Sequence, residues 1–580
     1  MMKFFIPFLL VIPLFFFACT EMSEKAMFPD LILYNGVFAT MDSAYTDVEA
    51  LAVRDGHILE LGTKEEILAL AGDSTELIDL QGAFAMPAFV EGHGHFHSLG
   101  KSLVNLNFLH AQSWEEIVQQ VAEAARKAAP GAWIQGRGWH QEKWAEMPRE
   151  LVDGYPVHHS LSEVSPENPV ILFHASGHAL FANEAAMKAA GITAETAAPA
   201  GGAIIRDAAG QPTGVFEENA MQPVADAWER YEESLPEEER EARYLQALHL
   251  AQAECFDKGI ATFTDAACSA EEALRYRHLS ESGELKIRLY TMLFGTPTEV
   301  EEALHLPAAE DGQPPLPVFP QGDGMFSCRG IKVFFDGALG SHGAWLLEPY
   351  ADKPGFTGQN TTPPDSLRKF AEIALQNGLQ LCVHAIGDRA NREVLDLYGQ
   401  MFAERQKSGN ALRWRIEHAQ HLSADDIPRF GALGVIPAMQ AIHCTSDAPF
   451  VVERLGEERA RTGAYAWRAL LDSGARIANG TDAPVEEVDP IPNFYAAVSR
   501  KRADGGEAFF PEQRMSREEA LRSYTIDAAY AAFLDAFTGS LSPGKSADIV
   551  VLSNNLLNCP EDNILKTEVL KLFVRGEQVK

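Results

Sequence analysis

His93 and His95 stand one residue apart in the run FVEGHGHF, and on an extended segment the period of two turns both imidazoles to the same side, toward one ion. His97 continues the alternation without an evident use. Two further histidines close apolar runs: His384 ends LQLCVHAIGD and His418 ends WRIEHAQH. A lone histidine there is ordinarily a hydrogen-bonded core residue, but two at equivalent strand ends strengthen each other as metal ligands. Asp482, in NGTDAPV, suits either a helix cap or a site carboxylate. Lys332 alternates with Ile331 and Val333 in GIKVFFDG, so it points inward, where an unpaired ammonium is costly. It is either ion-paired, with Asp336 the nearest acid in sequence, or deprotonated and able to take up carbon dioxide as a carbamate that bridges two cations.

Side chains of this kind need a scaffold that brings several strand ends to one place. The middle of the chain alternates β-rich apolar runs with helical stretches, the pattern of parallel strands with crossover helices. Eight runs qualify: FVEGHGHF, GIATFTDA, KIRLYTML, GIKVFFDG, LQLCVHAI, WRIEHAQ, GVIPAMQ and ARIANGTDA. The expected fold is α/β, a (β/α)8 TIM-like barrel at residues 88–538, with the polar residues at its carboxyl end, where barrel enzymes build active sites. About 150 residues separate the first two runs, far more than a strand-to-helix loop takes, so an inserted subdomain is expected at about 105–250.

Short β segments with turn signals, among them Asp55–Gly56, fill residues 31–87 and return at 539–580. The two ends are expected to pair as one discontinuous β-sandwich. Residues 1–18 read as a signal peptide, with Lys3 before the apolar run Phe4 to Phe17. Ala18–Cys19 resembles a bacterial lipobox, although Phe16 stands where Leu is usual; the expectation is lipidation at Cys19, a tether over 19–30, and an exported, membrane-anchored lipoprotein facing the periplasm or cell exterior, with ordinary secretory cleavage after Ala18 the alternative. The other six cysteines lie apart and mostly in apolar segments, as buried thiols do. With 82 acidic against 48 basic residues the net charge is −34, which repels phosphate backbones and argues against nucleic acid as a partner.

MPAFVEGHGH resembles the opening motif of the amidohydrolase superfamily, with Pro87 setting the register on His93 and His95 and leaving out His97. GIKVFFDGALGSHGAWLLEPY, HAIGDRAN, RIEHAQ, GTDAPVEEVDP and the run from YTIDAAYAAF to GSLSPGKSADIVVLS resemble its family 3, which includes proteins similar to N-substituted formamide deformylase. The resemblance extends from about Leu31 to Lys580. It implies one or two divalent ions, zinc foremost: His93 and His95 on the first, His384 and His418 on the second, and Lys332 as a carbamate bridge formed with carbon dioxide. Asp482 is implied as metal ligand and catalytic acid/base. Ala88 replaces the usual Gly and Glu91 the commoner Asp, and neither is expected to touch a proposed ligand.

The resulting expectation is hydrolysis of a non-peptide carbon–nitrogen bond, amide or N-formyl, in a small molecule, by metal-activated water with Asp482 moving the proton. Trp139, His140, Trp144, His178 and His443 are expected as a substrate wall over the mouth, with core packing inside the inserted subdomain the other reading of the two Trp residues. The nearest rival is a superfamily deaminase using one metal, which would release ammonia and does not require Lys332. A non-catalytic solute-binding lipoprotein is the rival from another class, and it gives no reason to keep the proton-transfer Asp482. Association into oligomers is compatible with either.

Overall fold

A computed structural model describes residues 28–580 apart from 47, 142–143, 176, 178, 200–201 and 308–313. The leader, Cys19 and His178 therefore lie outside the described residues. Within them, no helix is long and apolar enough to cross a membrane.

The eight expected runs form one eight-stranded sheet. Its strands are β1 (Phe89–Gly94), β2 (Ile260–Cys268), β3 (Arg288–Leu293), β4 (Phe326–Phe334), β5 (Gln380–Ala385), β6 (Arg415–His418), β7 (Ile436–Met439) and β8 (Ala478–Asn479). Every adjacent pair is parallel and the strands follow sequence order, which is a nearly closed barrel. The seam between β8 and β1 is stitched by backbone hydrogen bonds from Asp482 to His93 (2.7 Å) and from His95 to Ala483 (2.7 Å). Gly92 permits the approach, because a Cβ there would sit 2.4 Å from the Asn479 carbonyl oxygen. Helices cover the outside, with Phe370, Ala374, Val394 and Tyr398 buried against the strands.

Between β1 and β2 the chain builds a separate six-stranded sheet, ordered Gly202–Arg206, Pro212–Glu218, Ala179–Ala182, Val170–His174, Ile134–Trp139 and Leu106–Asn107. It has its own core around Trp114, Trp139, Leu172 and Phe181.

Near the start of the chain, Asp55 and Gly56, both left-handed at φ 52° and 78°, turn Ala50–Arg54 into His57–Gly62. Phe84–Pro87, just ahead of β1, pairs antiparallel with Ile549–Leu552, which in turn pairs with Val569–Val574. Leu33, Leu51, Ala85, Ile549 and Phe573 share one apolar core. All six described cysteines are buried free thiols.

Candidate active site

The carboxyl ends of β1, β4, β5, β6 and β8 converge on one buried cluster. His93 Nε2 lies 3.5 Å from Asp482 Oδ1, and His95 Nε2 lies 3.1 Å from the same oxygen. Lys332 Nζ is 3.5 Å from His93 Nε2 and 4.9 Å from the Phe334 ring centre. The His418 ring sits 4.8 Å from that of His93 and 4.6 Å from that of His384, centre to centre. The barrel thus brings together the six residues expected at the metal centre.

Two trios have metal-ligand spacing: His93, His95 and Asp482, and His418, His443 and Asp482, each offering donor atoms within 4.8 Å of one another. They share Asp482. His384 lies against His418 but is not in the second trio, where His443 stands instead. Asp482 (φ 59°) and His418 (φ 73°) both have left-handed backbone, unusual for residues with a Cβ and concentrated at functional sites.

Burial disfavours charge on His93, His384 and His418. It pushes His93 down to about 4 and His384 to about 3, with the neighbouring Lys332 acting in the same direction, and it takes His418 well below the usual histidine range. Burial also lowers Lys332. For Asp482 burial acts upward, but His95, His93 and His418 outweigh it and hold the carboxyl well below its ordinary range. The ion pair of Lys332 with Asp336 does not form. Asp336 instead accepts backbone N–H groups of Trp345 (2.9 Å), Ile386 (2.9 Å) and Gly387 (2.8 Å), and no carboxylate among the described residues lies within ion-pairing distance of Lys332.

The orientations are enforced from behind. Glu417 Oε2 binds His93 Nδ1, and Arg415 binds Glu417 through Nε (2.7 Å) and Nη2 (2.8 Å) while donating to the Gly92 carbonyl (2.8 Å). Gln440 Oε1 is 2.7 Å from His418 Nδ1. Each contact occupies Nδ1 and leaves Nε2 with its lone pair. His384 Nε2 is 3.4 Å from Asp336 Oδ1, yet neither of its ring nitrogens makes a hydrogen bond among the described residues. Neutral imidazoles with unspent lone pairs, one ionised carboxylate and a lysine whose charge is disfavoured form a donor set that fits a divalent borderline metal such as zinc.

Sequence reasoning missed Glu417 and Arg415. The signal was available: two opposite charges at i and i+2 in a buried strand must compensate each other. It also took Glu91 to touch no ligand. In fact Glu91 Oε1 accepts the backbone N–H of His93 (3.1 Å) and of Thr481 (2.7 Å), so it clamps the backbone beside both ends of the site, and burial pushes it up to about 8.

The expected substrate wall is corrected in part. Trp139 is fully buried in the core of the inserted sheet, with Nε1 donated to the Leu172 carbonyl at 2.9 Å, and Trp144 packs beside Trp114 in the same core. The two-residue alternation of a strand leaves open which of its faces packs into the insert's own core. His140 lies 4.6 Å from His174 within the insert, centre to centre. His443 is the wall residue that joins the metal-competent cluster. Arg137, also missed, donates from the insert to the Pro484 carbonyl, two residues past Asp482.

The amidohydrolase family model matches residues 76–580. The chain belongs to the amidohydrolase family. Among family relatives, Protein LONG AFTER FAR-RED 3 of Arabidopsis thaliana is 33% identical over 95% of this chain and 91% of its own length. N-substituted formamide deformylase of Arthrobacter pascens is 27% identical over 94% of this chain and 97% of its own. An uncharacterized metal-dependent hydrolase from Pyrococcus furiosus superposes with a TM-score of 0.71 at 28% identity, covering 91% of this chain and all of that one. The (β/α)8 barrel expected from the strand pattern is present as the nearly closed eight-stranded sheet, in a chain that superposes on this solved relative.

Proposed function

We propose that the protein is a metal-dependent hydrolase of a carbon–nitrogen bond, amide or N-formyl in type, in a small molecule. One observation carries this reading: at the carboxyl mouth of the barrel His93, His95 and Asp482 have metal-ligand spacing, with His418 and His384 packed beside them and the buried Lys332 next to His93. The similarity to a formamide deformylase supports the choice of bond.

His93 and His95 would hold one divalent ion and His384 and His418 the other, with Lys332 as a carbamate between them. Bound there, the ions supply Lewis acidity toward a carbonyl and make a water acidic near neutral pH.

The protein's own groups do the rest. Glu417 and Gln440 fix which nitrogens of His93 and His418 face the site. Asp482, held ionised, accepts a proton from the attacking water and returns it to the departing nitrogen, which must be protonated before an amine can leave. Lys332, with its ammonium disfavoured, is the amine suited to combine with carbon dioxide.

Around this centre we read residues 31–87 with 539–580 as a composite β-sandwich and 105–250 as a subdomain bordering the mouth. The leader and Cys19 support an exported, lipid-anchored setting, which labelling with a radioactive fatty acid and a Cys19→Ala control would test.

The deciding experiment pairs metal analysis with a substrate screen on the chain from Thr20 onward. Two metals per chain and release of formate or carboxylate from N-formyl amines or small amides uphold the proposal. Ammonia release on one metal would replace it with a deaminase; absence of metal binding after reconstitution would end it.

A further inference from the structure

His443 lies in the first turn of the helix Ala441–Leu455, three residues after Gln440, the side chain that orients His418. Its side chain is 7% exposed. Its ring lies parallel to that of His418, 6.3 Å away centre to centre, and one of its ring nitrogens is within 4.8 Å of donor atoms of His418 and Asp482. The two ring nitrogens differ. Gln420, itself buried, donates its amide Nε2–H to His443 Nδ1 at 3.1 Å, whereas His443 Nε2 is buried with no hydrogen-bond partner among the described residues.

A neutral imidazole carries one proton, so a ring whose Nδ1 accepts must be protonated on Nε2. His93 and His418 show the opposite arrangement, since Nδ1 of each faces a carboxylate or carbonyl oxygen and Nε2 keeps the lone pair. A ring nitrogen that carries its proton has no lone pair to give a metal. A buried N–H without an acceptor costs free energy comparable to a lost hydrogen bond, and a ligand that supplies the acceptor recovers it.

We infer that His443 is a catalytic hydrogen-bond donor, held as the Nε2–H tautomer by Gln420, that binds the carbonyl oxygen of the substrate rather than a metal. This rests on the proposed hydrolysis of a carbonyl compound. No bond to His443 forms or breaks; the hydrogen bond strengthens as negative charge builds on the oxygen. The substrate class that satisfies it has a carbonyl acceptor directly on the carbon attacked, as amides and N-formyl amines do. Gln420 is a positioning residue.

The test uses zinc-loaded full-length protein labelled with 15N-histidine, with His443→Gln identifying the His443 signals. The expected spectrum shows His443 protonated on Nε2, and Gln420→Glu, whose carboxylate must accept from Nδ1–H, shifts the proton to Nδ1. His443→Ala is expected to retain zinc at the wild-type level, unlike His418→Ala, and to lower kcat on an N-formyl amine by about 10²–10³-fold. Loss of zinc in step with His418→Ala, a proton on Nδ1 in the wild type, or unchanged kcat each overturns the inference. If the wild type hydrolyses no carbonyl substrate, the proposed function falls and this role falls with it; if zinc is lost from His443→Ala while wild-type hydrolysis stands, only the donor role fails.

Discussion

Glu417 on β6 binds His93 Nδ1 on β1 across the barrel interior, joining residues 324 positions apart in the chain. Burial alone would keep Glu417 protonated, but Arg415 and His93 hold it down to about 2. The pair is therefore a fixed acceptor behind the first metal-competent histidine.

Glu417→Gln keeps the shape and removes the charge, leaving the Arg415 guanidinium buried without its partner. Breaking a buried pair costs about 3–5 kcal/mol, and losing the carboxylate behind a ligating histidine weakens metal about 10–100-fold. Urea denaturation and zinc titration of the variant measure the two effects separately.

Asp482→Asn is expected to retain zinc and lose about 10²–10⁴-fold in kcat, because the amide neither accepts nor returns a proton. Inductively coupled plasma analysis beside steady-state kinetics checks this. Zinc loss as large as the kinetic loss would make Asp482 chiefly a ligand.

Intact mass spectrometry in mild buffer should show one carbon dioxide adduct that disappears in Lys332→Met. The same variant is expected to bind less zinc than the wild type. An adduct persisting in Lys332→Met would place the carbamate elsewhere.

Trp139→Ala is expected to cost about 3–5 kcal/mol, as for a large core aromatic, while KM of the surviving folded enzyme stays unchanged. Thermal melts and kinetics on the same preparation distinguish this from a substrate contact, which would raise KM.

Glu519 caps the helix Arg517–Ser523 and is held down to about 2, chiefly by Arg468. A carboxyl lowered on folding stabilises above its ordinary value near 4.3, and that contribution is lost as pH falls toward 2. Glu519→Gln should therefore lower Tm at neutral pH and narrow its gap from wild type between about pH 4.5 and 2. A gap constant across that window would show that the charge is not what matters.

Much of the barrel was legible because each strand is a short apolar run bounded by turns, and because its histidines sit at equivalent ends. His384 and His418 could be read as neighbours from that equivalence, while Lys332 and Asp482 joined them through the resemblance to the family's motifs. The partner of His93 could not, since which inward carboxylate meets it depends on barrel stagger and on Arg415 reaching the Gly92 carbonyl. Trp139 misled for a related reason. Strand alternation gives two faces without saying which packs against Trp114 and Phe181. The tautomer of His443 depends on Gln420, a side chain 23 positions away on the preceding strand's exit.

The antiparallel pairing of Phe84–Pro87 with Ile549–Leu552 has a consequence for biosynthesis. The segment leading into the first barrel strand can pair early with Val37–Phe38 on one edge, but its other edge obtains a partner only after synthesis has passed residue 552. Closing so long a loop is slow more than it is costly, since the entropy of closure grows only logarithmically with length. A nascent chain thus carries an unpaired strand edge next to its first metal-competent histidines until nearly its last residues emerge, which makes this edge the place where a chaperone would have most to protect.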